Sequence, residues 1–370
     1  MSEHPEPLAE PLVLHVIPTP IGRGAQRMAR TLVDRLDAGG PVRHRLLTLF
    51  EGPGDVDVDW SLHHRGGDRP AERFDPRLAA RLRHGLRRSD PAVVVAHGGD
   101  PMKYLVPAVA GTGRSLVYCV IGSYAGPSDR RHPWLWSRLM ARADRVVAVG
   151  DEVLTESVRR FGADPGRAVM IPNGRDPGVF HPPTTTPATD GVPTVVFVGA
   201  LTAQKRPGLF IEVCGRLRED GCTFRALLVG DGPLAGTVGP AATRAGVELV
   251  GPCPDVASLL RQADILVFPS LPAGEGMPGV LIEAGMSGVP VVAASVPGVS
   301  TVVVDGRTGY VVDGSPDSLV AATRRLLDDP DRRATMGGDA RRRCVAEFSL
   351  DRLAARWRAV LDPLVAGSGR

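Results

Sequence analysis

The stretch Pro269–Pro290, PSLPAGEGMPGVLIEAGMSGVP, carries the sequence signals from which the fold is predicted. The apolar run Ile265–Phe268 precedes it and is typical of a buried parallel strand, which a proline would end. A loop rich in Gly and Pro follows, and a helix is predicted to begin near Pro278, because proline suits the first helical turn. A second apolar run, Val289–Ala293, predicts the next strand. This order predicts an α/β fold in which the helix N-terminus lies at the carboxyl edge of a parallel sheet.

Two carboxylates flank this helix N-terminus and indicate the kind of ligand. Glu275 precedes the helix, and Glu283 follows on its first turns, with seven residues between them. The backbone N–H groups and the dipole of a helix N-terminus favour an anion, whereas a carboxylate accepts hydrogen bonds from hydroxyl groups. The pattern therefore predicts a ligand with a phosphate between two hydroxyl-bearing parts, such as a nucleotide sugar. The alternative is an ordinary strand–turn–helix with solvated carboxylates, which does not require so many glycines.

The segment around these two residues resembles the E-x7-E motif of retaining glycosyltransferases of family GT4, which have the GT-B fold. The resemblance rests on Glu275 and Glu283 in the setting FPS, EGMPGVLIEA and GVPVVA. It implies two Rossmann-like domains whose parallel sheets face a central cleft. It also implies that a hexose-type sugar moves from a UDP- or GDP-linked donor to a small-molecule or lipid acceptor, with retention of configuration. The family needs no metal, so we expect no metal and no cofactor beyond the nucleotide-sugar co-substrate.

Composition restricts the class of protein further. The chain has 370 residues, enough for two α/β domains, and its formal charge of +3 does not indicate a nucleic-acid partner. Its five cysteines form no C-x-x-C pair, so neither a zinc site nor a disulfide framework is predicted. The N-terminus lacks the apolar segment of a signal peptide, and no apolar run is long enough to span a bilayer. We therefore expect a cytoplasmic protein, and the heavy use of Arg, Ala, Gly and Pro suggests a bacterial source.

A glycine-containing loop follows the first predicted strand, Leu12–Ile17. It has the pattern G-x-G but lacks the third glycine and the acidic partner of a dinucleotide site, so NAD binding is not predicted. The loop resembles the GT4 N-terminal loop that faces the donor diphosphate and the acceptor. The resemblance implies a donor contact for Gly24 and acceptor contacts for Gly22 and Arg23.

Two later strands of this half end in residues of interest. The strand Ala92–Ala96 ends at His97, which resembles the second His of the family's HAH segment, although a His there would equally cap a turn. The resemblance implies that His97 takes part in catalysis and acceptor binding. The next strand ends at Ile121, where many family members have a His that contacts the donor sugar. Tyr124, an expected acceptor contact, or His97 would compensate for this replacement.

The predicted helix Pro76–Arg88 is basic and amphipathic, with Leu78, Leu82 and Leu86 in one stripe. Such a helix suits an anionic membrane surface, or it packs its leucines on the sheet. We favour the second interpretation, because a short leucine stripe is what any core-facing helix needs. Peripheral membrane contact is therefore an open but less favoured expectation.

The second half opens with a segment, Val195–Pro207, that resembles the family's VGRLxxxK. A diphosphate leaving group gains negative charge as the glycosidic bond breaks, so a fixed cation would stabilise it. Lys205 matches the family lysine and is one of only two lysines in the chain, although a surface lysine is the alternative interpretation. Ala200 stands where the motif has its arginine, and Arg206 follows the lysine.

The resemblance thus implies roles for three catalytic residues: Glu275 for the sugar hydroxyls, Lys205 for the diphosphate, and His97. Glu283 would hold the ribose hydroxyls. The expected donor-binding residues are Gly24, Gly199, Lys205, Arg206, Glu275, Gly276, Met277, Pro278, Gly279, Val280, Leu281 and Glu283.

Domain limits follow from a segment IPNGRD, which resembles the family's VIPNGVD, and from the Pro- and Thr-rich run after it. We expect an acceptor-binding domain at 1–182, a linker at 183–194 and a nucleotide-sugar-binding domain at 195–349. A last helix at 350–370 would cross back to the first domain. A non-catalytic nucleotide-sugar-binding protein is the main alternative. A GT-B epimerase or phosphorylase would need a carboxylate–His set or a cofactor-bearing lysine that the sequence does not display.

Overall fold

The computed structural model describes residues 10–22, 24–62, 74–122, 133–184, 191–272 and 275–368. The chain divides into two compact units. The first unit contains the residues up to Asn173 and those from Leu350 onward, and the second unit is Gly174–Ser349.

The first unit is built on a seven-stranded sheet in the order β3-β2-β1-β4-β5-β6-β7, and all neighbouring strands are parallel. The strands are β1 (Leu12–Ile17), β2 (Arg43–Thr48), β3 (Trp60–Ser61), β4 (Val93–His97), β5 (Ser115–Val120), β6 (Arg145–Ala148) and β7 (Ala168–Met170). The helices described among them are α1 (Gly24–Asp37), α2 (Pro76–Ser89), α3 (Gly99–Val109), α4 (Pro133–Met140) and α5 (Asp151–Arg159). Strands β1 and β4 are buried along their whole length, as expected in a parallel sheet covered on both faces.

The second unit has a six-stranded parallel sheet in the order β10-β9-β8-β11-β12-β13. Its strands are β8 (Thr194–Val198), β9 (Arg225–Val229), β10 (Glu248–Gly251), β11 (Ile265–Phe268), β12 (Val291–Ala294) and β13 (Gly309–Val312). Its helices are α6 (Pro207–Glu219), α7 (Ala235–Arg244), α8 (Val256–Leu260), α9 (Gly279–Met286), α10 (Val299–Val302), α11 (Pro316–Asp328) and α12 (Pro330–Phe348). The last helix of the chain, α13 (Leu350–Gly367), packs on α1 and β4 in the first unit.

The two sheets share one strand order. In each, the third, second and first strands lie on one side and the fourth to sixth strands on the other, which is the Rossmann-type arrangement, and the first sheet has a seventh strand, β7, beyond the sixth. The winding reverses between β1 and β4 in the first unit and between β8 and β11 in the second. Ligands of such sheets bind at this switch point, outside the carboxyl ends of the two strands.

The leucine stripe of α2 lies in the core of the first unit. Leu78, Leu82 and Leu86 are each at most 1% exposed and belong to its main hydrophobic cluster. This confirms the interpretation in which the stripe packs in the core of the unit. These buried leucines are therefore not available to contact a membrane surface. In the described part of the chain, no helix combines the length and apolar character that crossing a bilayer requires.

The boundary between the units lies at Asn173/Gly174, earlier than the expected limit at 182. The residues that follow Gly174 belong to the second unit, because their backbone groups form hydrogen bonds with other residues of that unit. The N–H of Arg175 donates to the carbonyl of Phe348 at 2.8 Å, and Arg261 Nη1 donates to the carbonyl of Val179 at 3.3 Å. The expected linker at 183–194 lies partly outside the described residues, since 185–190 are not among them.

Candidate functional site

Two loops meet at the switch point of the second unit. One runs from the end of β8 to α6, and the other from the end of β11 to α9. Because β8 and β11 are hydrogen-bonded neighbours, both loops leave the sheet at the same edge. The N–H of Leu271 donates to the carbonyl of Gln204 at 2.8 Å and fastens one loop to the other.

A buried carboxylate joins the same two loops. Glu275 is 5% exposed, and its Oε1 accepts a hydrogen bond from Lys205 Nζ and one from Gln204 Nε2, the latter at 3.2 Å. The ammonium also lies 5.1 Å from the centroid of the Phe268 ring. A buried carboxylate requires such partners, because an unpaired one would lose its hydration without compensation. Lys205, whose side chain is 23% exposed, carries three N–H donors and can bind a further anion.

The backbone that follows Glu275 rests on Gly298. This glycine has φ +79°, and a Cβ placed on it would lie 2.1 Å from the carbonyl oxygen of Gly276. A side chain at 298 would therefore displace the Gly276–Pro278 segment, which leads into α9. The close approach of these two backbone segments therefore fixes the position of the Gly276–Pro278 segment next to the N-terminus of α9.

The second carboxylate of the motif has its own cation. Glu283 Oε1 accepts from Arg175 Nε at 2.6 Å, and the two side chains are 16% and 17% exposed. The guanidinium lies directly over Gly279, the first residue of α9: a Cβ built on this glycine would be 1.9 Å from Arg175 Nη2. The structure thus brings both glutamates of the motif to the N-terminal region of α9, each with one cation.

Not every expected donor contact is equally available. Pro278 has no N–H, and the N–H of Leu281 donates to the carbonyl of Pro278 at 3.2 Å. The Leu281 side chain is fully buried in the unit. Gly276, Met277, Gly279 and Val280 supply the other backbone N–H groups of this turn, and their contacts with a donor stay predictions.

Arg206 and Gly199 lie on the β8 loop. Arg206 has the left-handed conformation, φ 52° and ψ 52°, at the residue before α6, and its Nη1 donates to the carbonyl of Gly314 at 3.0 Å. A non-glycine residue in this region is strained by about 1 kcal/mol or more, and the hydrogen bond helps to hold it. The guanidinium is therefore bound to the loop after β13, while Ala200 is exposed. Donor contacts by Arg206 and Gly199 stay predictions.

In the first unit, the expected glycine loop leaves β1 and enters α1 at Gly24. The N–H of Gly22 donates to Asp55 Oδ2 at 2.9 Å, and a Cβ on Gly22 would lie 2.8 Å from that of Asp55. This close approach explains the glycine at 22. Arg23 and Tyr124, both expected to contact the acceptor, lie outside the described residues.

His97 belongs to a buried cluster of three histidines on neighbouring strands. His15 Nδ1 and His97 Nε2 are 2.9 Å apart, and His15 Nε2 and His44 Nδ1 are 3.1 Å apart. The indole of Trp357 in α13 lies over the cluster, with centroid distances of 6.1 Å to His97 and 6.3 Å to His15. The rings are at most 5% exposed. We call His15, His44, His97 and Trp357 the histidine cluster.

Burial keeps these rings neutral. It lowers the pKa of His97 and of His44 to about 4, since removal from water disfavours the charged imidazolium. The pKa of His15 is lowered in the same direction by burial and by the two neighbouring rings. A role of His97 in catalysis or acceptor binding stays a prediction. Its geometry is that of a ring engaged with His15.

The model of "Glycosyltransferase Family 4" matches residues 22–179, and that of "Glycosyl transferases group 1" matches residues 192–329. The chain belongs to glycosyltransferase family 4.

Among its relatives is the D-inositol 3-phosphate glycosyltransferase of Geodermatophilus obscurus. The two are 33% identical over 258 residues, which cover 63% of this chain and 56% of the relative. That of Kineococcus radiotolerans is 32% identical over 237 residues, or 56% of this chain and 54% of the relative. The matched region thus spans about half the length of these relatives.

Two solved structures share the fold of this chain. Anabaena HepE in complex with UDP and glucose superposes with a TM-score of 0.79 at 18% identity, covering 95% of this chain and 99% of that chain. The sucrose-phosphate synthase of Thermosynechococcus elongatus gives a TM-score of 0.81 at 20% identity, covering 96% and 100%. The predicted GT-B fold, with two parallel-sheet Rossmann-like domains, is confirmed, and so is the predicted family.

Four polar residues that the structure brings into these contacts were not predicted from the sequence. Gln204 and Arg175 each contact a glutamate of the motif, and His15 and His44 complete the histidine cluster. Arg175 carried a signal, since it stands where the quoted family segment VIPNGVD has an apolar residue. The two histidines gave none, because their contact depends on the register of three strands.

Proposed function

We propose that the protein is a retaining hexosyltransferase that moves a sugar from a UDP- or GDP-linked donor to a hydroxyl group of a small-molecule or lipid acceptor, without a metal ion. The observation that carries this proposal is the pair of carboxylate–cation contacts at the switch point of the second unit. Glu275 with Lys205 and Glu283 with Arg175 flank the N-terminus of α9. Family membership and the UDP held by Anabaena HepE support a nucleotide-sugar ligand at such a site.

The proposed roles follow from the chemistry of each group. Lys205 would bind the diphosphate, whose charge grows as the bond from the anomeric carbon to the phosphate oxygen breaks. Glu275 would accept hydrogen bonds from sugar hydroxyls, and Glu283 from ribose hydroxyls. The acceptor oxygen would form the new bond on the same face, and its proton would pass to the leaving phosphate oxygen. These roles account for two carboxylates and a cation around one anion-binding helix N-terminus.

The relatives suggest where an acceptor screen should begin. Those described above are D-inositol 3-phosphate glycosyltransferases, so a phosphorylated cyclitol is the first acceptor class that we propose. Lipid acceptors and other small molecules form the second panel. An acceptor of either class would bind to the first unit in this proposal, near Gly24 and the loops at the carboxyl edge of its sheet.

A thermal-shift panel of UDP, GDP, ADP and their common sugar conjugates tests the proposal. We expect one nucleotide series to raise the melting temperature of the wild type, and Glu283→Ala to remove most of that shift. The conjugate that binds then serves as the donor in the acceptor screen, with transfer measured by release of the nucleoside diphosphate. No shift with any nucleotide would contradict a donor site.

A non-catalytic nucleotide-sugar-binding protein is the second candidate. Two replacements favour it, since Ala200 and Ile121 stand where the family has an Arg and a His. The same panel separates the candidates: a binding protein would give thermal stabilisation by a donor, with neither transfer nor donor hydrolysis under any acceptor.

A further inference from the structure

Arg175 has no place in the roles given so far, although it contacts one of the two motif carboxylates. We propose that Arg175 is a positioning residue: it holds Glu283 by one carboxylate oxygen so that the other oxygen meets the ribose hydroxyls of the donor. The inference rests on the proposed function. It adds Arg175 to the donor site and gives a physical reason why this site would select a ligand that has ribose hydroxyls.

The two motif glutamates are held in the same way. Glu275 uses Oε1 for both Lys205 and Gln204, and Glu283 uses Oε1 for Arg175. Within the described part of the chain, neither Oε2 takes a hydrogen bond from another residue. A carboxylate has about four lone-pair positions, so the second oxygen of each remains an acceptor for hydroxyl groups. The protein contact selects the rotamer, and the free oxygen binds the ligand.

Arg175 is itself held firmly. Its backbone N–H donates to Phe348, its backbone pairs with Ser349 in an isolated bridge, and its Nη1 donates to the carbonyl of Gly174 at 2.9 Å. A guanidinium restrained in this way has already lost most of its rotamer freedom before a ligand binds. It can therefore transmit a fixed orientation to Glu283, as the supporting residues of a preorganised site do.

Stability alone does not account for this arginine. The guanidinium lies over the first residue of α9, where the helix dipole is positive and a cation is unfavourable. Both partners are largely removed from water, so the loss of hydration offsets much of their mutual attraction. Gly279 also lacks the side chain that would exclude the guanidinium. A costly cation accommodated by a glycine indicates that the position of Glu283 matters.

The test compares binding of ribose-containing and ribose-modified probes. Dissociation constants are measured by calorimetry for UDP, uridine and 2′,3′-dideoxyuridine 5′-diphosphate, with the guanosine series used instead if GDP gives the thermal shift. We expect the wild type to prefer UDP over the dideoxy compound by about tenfold or more, as for hydrogen bonds to a charged group. Arg175→Ala should weaken UDP and uridine by similar factors of about tenfold, leave the dideoxy compound nearly unchanged, and so remove the preference.

Arg333→Ala is the matched control, since Arg333 is in the same unit, is 15% exposed, and donates to the carbonyl of Leu326 at 2.7 Å. It should retain the full preference. Arg175→Lys should fold and keep only part of it, because one ammonium cannot reproduce the bond from Nε together with the bond to Gly174.

Three outcomes would overturn the inference. One is an unchanged preference in Arg175→Ala and Arg175→Lys. Another is a loss of affinity that grows from uridine to UDP while the preference persists, which would assign Arg175 to the phosphates. The third is an equal loss of preference in Arg333→Ala. A wild type that binds no nucleotide would instead contradict the proposed function itself, and the inference would fall with it.

Discussion

The histidine cluster of the first unit and the two carboxylate–cation pairs of the second occupy related places in two sheets of the same strand order. His15 and His97 lie on the two strands that form the switch point of their sheet. Lys205 and Glu275 lie on the loops that follow the corresponding strands in the second unit. The histidines bind one another through ring nitrogens along the strands. Lys205 and Glu275 lie just past the strand ends, and each has a donor or acceptor position that a ligand can use.

This difference separates structural from ligand-binding polar groups in a Rossmann-type sheet. Buried groups that satisfy one another, and that stay neutral, contribute to the fold. Groups that remain charged and only partly satisfied at the carboxyl edge are suited to a ligand. Substitutions in both groups and a change of pH test this division.

The charged side of the comparison gives the largest effect. Lys205→Ala and Glu275→Ala should each lower transferase turnover by about a hundredfold or more, because each removes a preorganised charge contact. The double variant should lose less than the product of the two, since the side chains touch each other. Steady-state kinetics with the donor identified by the thermal-shift panel provide the measurement.

Lys103→Ala is the control for this prediction. Lys103 is the other lysine of the chain and pairs with Asp100 in the first unit, so its loss should leave turnover unchanged. Near-normal rates in both Lys205→Ala and Glu275→Ala would remove the assignment of the site to the second unit's switch point.

The neutral side of the comparison predicts the opposite pattern for His97. His97→Ala should lower the free energy of unfolding by about 2 kcal/mol, because it leaves a small cavity beside Trp357 and an unpaired nitrogen on His15. Turnover of the folded variant should change by less than about threefold, since the ring is engaged inside the unit. Urea unfolding followed by tryptophan fluorescence measures this, because all four tryptophans (60, 134, 136 and 357) lie in the first unit.

His84→Ala, an exposed residue of α2, is the comparison variant and should unfold like the wild type. A large loss of turnover in His97→Ala with unchanged unfolding would instead support the catalytic role that the resemblance to the family's HAH segment implies.

The histidine cluster also predicts how the stability of the first unit depends on pH. The histidines have folded-state pKa values lowered to about 4 for His97 and His44, whereas an unfolded histidine titrates near its ordinary value. Their stabilisation is therefore complete above the unfolded pKa and is lost as the pH falls toward the folded one. Arg30, Arg45 and Arg358 oppose protonation of the cluster, and Asp37 favours it.

Between pH 7.5 and 5.5, the free energy of unfolding of the first unit should fall by about 1 kcal/mol for each buried ring. Tryptophan-monitored urea titrations at several pH values provide the measurement. His97→Ala should show a shallower slope, because one of the titrating rings is missing. A wild-type stability that is constant over this range would show that the rings are not held neutral.

Much of the second unit could be predicted because its signals are local. The apolar run Ile265–Phe268, which ends before a proline, is the observed strand β11. Helix α9 begins at Gly279, the residue after the proline near which its start was predicted. Glu275, Glu283 and Lys205 each lie in a short segment whose residue types carry their chemistry. Ordinary parallel-sheet topology then brings the loops of β8 and β11 together.

The contacts that were not predicted depend on distant parts of the chain. Arg175 meets Glu283 across more than a hundred residues, and Gln204 meets Glu275 across seventy-one. His15 and His97 meet because β1 and β4 are neighbours in a particular register, which determines the face of the sheet that each ring occupies. The direction of Arg206 was also open, since a left-handed backbone at a non-glycine residue follows from its surroundings and not from its own preference.

The smallest effect comes from a single methyl group at the helix N-terminus. In Gly279→Ala the added carbon would lie 1.9 Å from Arg175 Nη2, so the guanidinium, the end of a flexible side chain, must move and draw Nε away from Glu283. Gly208→Ala is the control, because Gly208 is in the first turn of α6 with nothing within 4 Å of the new carbon. Alanine has a higher helix propensity than glycine, so neither variant should lose stability.

We expect Gly279→Ala alone to weaken nucleotide binding in the calorimetric assay, by roughly threefold to tenfold, with the loss confined to probes that carry ribose hydroxyls. Equal binding in the two variants would mean that Glu283 keeps its orientation without Arg175. The charged pair would then be a fixed structural contact like those of the histidine cluster.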